Sequence, residues 1–129
     1  MKQTILQEKY PVFVLELPKT ETTCANIDDV VARLKKDIAA DKRVADIAVF
    51  DHYAHTSALG GEIAADIIAA MNLVFCFGVK LPGPLVLSVR PRSIGIAEMK
   101  DKFVISFMEA PMPVANDAME SWVKALKDK

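Results

Sequence analysis

The chain has 129 residues, 52% of them hydrophobic and 26% charged, with 16 basic and 17 acidic side chains for a net charge of -1. That length suits one domain, and that composition excludes a disordered chain. The near-zero, evenly spread charge excludes the concentrated basic face that nucleic-acid binding needs and offers no polybasic membrane anchor.

The first nine residues lack the apolar core of a signal peptide, and the longest apolar region, Ile67 to Val79, is broken by Asn72 and too short to span a bilayer. Cys24 and Cys76 have no paired spacing and read as free thiols. These features predict a cytoplasmic protein without membrane or nucleic-acid partners.

In chain order, Val12 to Leu17 reads as a strand with Phe13, Leu15 and Leu17 on one face. Val12 and Val14 make the other face apolar too, the pattern of a strand covered on both sides. Asn26 is a helix cap, with Thr23 as a rival, and Asp28 and Asp29 suit the positive end of the helix dipole. Ile27, Val30, Val31, Leu34 and Ile38 then mark one helical stripe. Val44 to Tyr53 reads as a second strand. Gly60-Gly61 breaks the chain, and Glu62 to Met71 reads as a short apolar helix.

Met71 to Pro113 holds most of the remaining strand-like residues and is the expected centre of the sheet. Leu73 to Gly78 is a strand, Pro82-Gly83-Pro84 a turn, and Leu85 to Val89 a short strand. Ser93 to Met99 and Lys102 to Met108 form a hairpin about Lys100-Asp101. Val114 to Lys127 is a closing helix burying Ala115, Ala118, Met119, Trp122, Ala125 and Leu126. The order predicts one α+β domain: a mostly antiparallel sheet of about five to six strands with two to three helices on one face. A doubly wound parallel sheet is disfavoured because the second half lacks crossover helices.

No motif fixes a reaction, so whether the chain is an enzyme and which cofactor it takes stay open. The chemistry-bearing segment is Asp51-His52-Tyr53-Ala54-His55-Thr56, which holds the only two histidines. On a strand the two rings point to opposite faces; on a helical turn they converge. Converging rings with a carboxylate from Asp51, Glu62 or Glu109 would suit a metal or acid–base chemistry. The plainer reading is a polar, hydrogen-bonding strand end. Arg90 and Arg92 flank Pro91 and suit an anion clamp that Lys80 could join; the plainer reading is a charged, proline-protected sheet edge. Gly60-Gly61 lacks the lysine and longer glycine pattern of a phosphate loop. Cys76 and the late methionines read as core filling. The leading expectation is a module for a small-molecule ligand bound by Asp51, His52, His55 and Arg90. The alternative is a metal-dependent or histidine acid–base enzyme built on Asp51 to Thr56. A third reading is a partner-binding protein with an exposed apolar patch. Exposed edges and the apolar composition predict a homodimer.

The helix Ile27 to Ala39, the strand entering Asp51-His52, the Phe75-Cys76-Phe77-Gly78 strand end and the Ile94 to Met108 hairpin closing on Glu109-Ala110-Pro111 together resemble the bacterial domain-of-unknown-function family 302. After Gly78 the chain departs from that pattern. The resemblance implies a compact, dimeric α+β domain and no assigned reaction or catalytic residues.

Overall fold

The computed structural model describes residues 1–129. Its strands are β1 (Lys2–Leu6), β2 (Tyr10–Pro18), β3 (Ala45–Asp51), β4 (Ala69–Cys76), β5 (Arg92–Glu98) and β6 (Lys102–Met108). Its helices are α1 (Ile27–Ala39), α2 (His52–Ala58) and α3 (Pro113–Lys124). The six strands form one antiparallel sheet in the order β1-β2-β6-β5-β4-β3. The chain lays down the β1–β2 hairpin, crosses through α1 to the far edge, and walks back until β6 closes against β2. The α+β expectation holds.

The inner face of the sheet is alternate residues: Leu17, Leu73, Phe75, Ile94, Ile96, Phe103, Ile105 and Phe107, all buried. Both long helices cover it. Asn26 caps α1 by accepting the Asp29 N–H at 3.0 Å, and all five residues of its predicted stripe are buried. α3 buries Ala115, Met119, Trp122 and Val123, with Leu126 just beyond it. Val123 takes the place expected of Ala125, which is exposed, and Ala118 is only half-buried. Each large side chain placed here contributes about 1.5–3 kcal/mol by leaving water.

The outer face has no such cover. Val12, Val14, Val74, Ala97 and Val104 are half-exposed, so the apolar second face of β2 is an uncovered face, not a buried one. No helix is long and apolar enough to cross a membrane.

Three local expectations change, and one strand was not expected at all. β1 pairs with β2 through a turn in which Gln7 and Glu8 take φ of 51° and 63°. That left-handed turn usually carries Asn or Gly, so it left no sequence signal. The strand expected to run to Tyr53 stops at Asp51, whose side chain accepts the Ala54 N–H at 2.9 Å and starts α2. The helix expected over Glu62 to Met71 is irregular chain followed by β4. Ala69 and Ala70 pair with Glu98 and Ala97, and the Ile68 N–H donates to the Glu98 carbonyl at 2.9 Å. Ladder hydrogen bonds outweigh the small helical preference of alanine in so short a segment. Leu85 to Val89 lies within a 3-10 turn, Pro84–Val89, and not in a strand.

Candidate functional site

The predicted site residues fall into two places. Asp51, His52 and His55 lie at the start of α2, where β3 ends. The helical turn brings the imidazoles together, with ring centres 6.1 Å apart, and the Phe50 ring stands 5.4 Å from one and 5.2 Å from the other. Phe50 and Asn72 are cross-strand partners on the outer face. His52 Nδ1 faces Asn72 Oδ1 at 3.4 Å, a long contact. Both histidines are solvent-exposed, and the Asp51 carboxylate is engaged as the helix cap. No three His, Cys, Asp or Glu side chains gather at one point in the chain.

Arg90 sits at the other end of β4. A methyl group placed on Gly78 would come within 3.2 Å of Arg90 Nη1. Six residues of extended chain, about 20 Å, separate Gly78 from Asn72. Arg90 therefore does not join the histidines. It lines a cavity of about 190 Å³ together with Arg92, Phe77, Val86, Met112 and Ala115 among others.

Three pieces of chain build this cavity. The end of β4 carries Phe77 onto the inner side, where its ring stacks on Trp122 with centroids 5.7 Å apart and planes within 8°. The 3-10 turn supplies Val86 and Val89 as an outer wall. The turn into α3 supplies Ala110 to Met112, and Asn116 holds that turn to the helix by bonding both the N–H and the carbonyl of Ala110, at 2.7 and 2.9 Å. Pro82, Pro111 and Pro113 punctuate the same region.

Both guanidiniums are fixed by main-chain carbonyls. Arg90 Nη1 donates to the Lys80 carbonyl at 2.6 Å; Arg92 donates through Nη1 to Val89, at 3.2 Å, and through Nη2 to Met108. Burial pushes the Arg92 guanidinium down from its ordinary pKa. The Arg90–Arg92 pairing was legible in sequence from the two-residue spacing. The apolar partners were not, because Phe77, Met112 and Ala115 read as ordinary core. Asn72 entered the sequence reading only as the residue that breaks the apolar region Ile67 to Val79, outside the strand expected from Leu73.

The chain matches no curated protein and no solved structure. A family profile does match it, over residues 1–128, and covers every element just described. The chain belongs to that family, the family of unknown function DUF6858.

Proposed function

We propose that this protein is a small-molecule-binding module of the cytoplasm, and that its ligand occupies the cavity between the end of β4, the 3-10 turn and the start of α3. The observation that carries this reading is the cavity itself: a concave, apolar space of about 190 Å³ with two polar side chains, Arg90 and Arg92, held in fixed orientation at its wall. Few, well-placed polar groups in an apolar concavity are the usual make-up of a ligand site. Free Cys24 and Cys76 suit a reducing compartment. The histidine cluster is a separate, open surface and is not part of this proposal.

Chemical-shift mapping with a library of small aromatic and aliphatic compounds tests it. Perturbations should centre on Phe77, Val86 and Met112, and a Val86→Trp substitution, which fills the cavity from its outer wall, should abolish them. Perturbations confined to His52 and His55, or none at all, would remove the proposal.

A second reading rests on a different observation: the uncovered outer face. An antiparallel sheet facing water alternates apolar with polar side chains. Here the outward positions include Val12, Val14, Val104, Ala97, Gly95 and Val74. Charge is confined to one corner, where Lys102 pairs with Glu16 at 2.9 Å beside Lys2. Strand spacing and rise give a footprint of roughly 600 Å² per copy. Two copies packed face to face would bury roughly 1,200 Å², the lower end for a stable interface. This supports a homodimer through the sheet face. Light scattering at micromolar concentration checks it, and a monomer there overturns it.

A further inference from the structure

The chain's arginines divide into two kinds. Arg33 pairs with Asp128 at 2.9 Å and Arg43 with Asp41 at 2.8 Å, and these carboxylates hold both guanidiniums above their ordinary pKa. Arg90 and Arg92 bond only to carbonyl oxygens, and no carboxylate lies within ion-pair distance of either. Glu109, the acidic neighbour of cavity residue Ala110, is exposed and forms no ion pair. Arg92 is nonetheless half-buried. A charge removed from water with no counter-charge is costly, and a guanidinium carries more donors than these carbonyls use.

The helix that begins at the cavity shows the same deficit. α1 has its Asn26 cap, Asp28 and Asp29 in its first turn, and the Glu98 carboxylate on the Ile27 N–H at 2.8 Å. α3 has no side-chain cap and no acidic residue in its first turn. Pro111, Met112 and Ala115, around its start, line the cavity. Two guanidiniums and the positive end of a helix thus border one apolar space, and no negative group answers them.

We infer that the cavity binds an amphipathic carboxylate, with its carboxylate on Arg90 and Arg92 and a small apolar body against Phe77, Val86, Met112 and Ala115. This rests on the binding reading above and narrows it to one chemical class. The rest of the lining is apolar side chains, so it offers nothing to match the hydroxyls of a sugar or nucleoside. A single delocalised charge fits the planar fork of arginine and is cheaper to desolvate than a phosphate dianion.

The test is calorimetric titration of the full chain with hexanoate and benzoate, alongside hexanol and benzyl alcohol, phenyl phosphate, and acetate. The two larger carboxylates should bind at least tenfold more tightly than their neutral counterparts and than acetate. Arg92→Gln and Arg90→Gln should each lose at least tenfold of the carboxylate affinity with little effect on the alcohols, and Arg43→Gln should change neither. Circular dichroism establishes that each variant is folded, and Arg90→Gln serves if Arg92→Gln is not. Alcohols binding as tightly as carboxylates, with both lost in Val86→Trp, overturn the carboxylate class and leave the cavity as a ligand site. Phenyl phosphate binding more tightly than benzoate overturns the class in favour of phosphate esters. No binding by any compound overturns both readings.

Discussion

Glu98 is one of only two buried polar residues, and both its oxygens are matched. Oε2 takes Lys19 Nζ at 2.7 Å and Oε1 takes the Ile27 N–H at 2.8 Å, so one carboxylate ties the end of β5 to the start of α1. Glu98→Ala would strand a helix N–H and a partly buried ammonium. Urea unfolding should show a loss of about 2 kcal/mol, the range for hydrogen bonds to charged groups. Asp128 anchors the segment that leads into the same helix and the helix's middle turn. It accepts from the Thr23 N–H and hydroxyl, both at 2.7 Å, and from Arg33. The Thr23 hydroxyl and Arg33 hold its pKa down to about 2 from 3.8. A depressed carboxylate stabilises the fold above its ordinary pKa, and that stabilisation fades as pH falls from 3.8 toward 2. Asp128→Asn should therefore lower the stability-versus-pH curve at neutral pH and flatten part of its acid limb, leaving the slope of the neutral-to-alkaline limb unchanged. The Asn26 cap was legible because its offset to Asp29 is local. The contacts of Glu98 with Lys19 and Ile27 were not, because they join residues 79 and 71 positions apart.

Among the elements, α1 was fully readable: thirteen residues with a single apolar stripe leave no competing period. The seven residues of α2 are different. They bury nothing, so no stripe marked them, and the one local signal was the cap at Asp51. A helix that short depends on its cap. Asp51→Ala should cost about 1 kcal/mol and separate the two imidazoles. Nuclear magnetic resonance would register this as convergence of the His52 and His55 ring shifts toward free-histidine values, with faster amide exchange at Ala54. Unchanged histidine shifts would mean that the contacts with Phe50 and Asn72 suffice without the cap. The Glu62 to Met71 segment failed for the opposite reason. Its alanines and isoleucines suit a helix in isolation, and only pairing with β5 makes Ala69 and Ala70 a strand.

For the molecule as a whole, class was legible and strand order was not. The hairpin at Lys100-Asp101 was local, whereas β6 against β2 joins residues about 90 positions apart. The candidate site divided along the same line. The residue types were visible, but their separation into an outer-face histidine pair and an inner cavity with Arg90 was a matter of register. The outer face carries a prediction at this scale. Val104 lies on it at half exposure, with its own buried neighbours Phe103 and Ile105 turned the other way. Val104→Lys should leave the fold intact by circular dichroism and halve the mass seen by light scattering. An unchanged dimer would place the contact elsewhere, with the fully exposed edges β1 and β3 the next candidates.

One ring pair described above has a practical meaning. Trp122 is the only tryptophan in the chain, and it lies flat on Phe77, which forms part of the cavity lining. Any molecule entering that space touches the ring next to the sole indole. The protein thus carries its own optical gauge of occupancy, read as a change in intrinsic emission with no label attached and no second tryptophan to blur it.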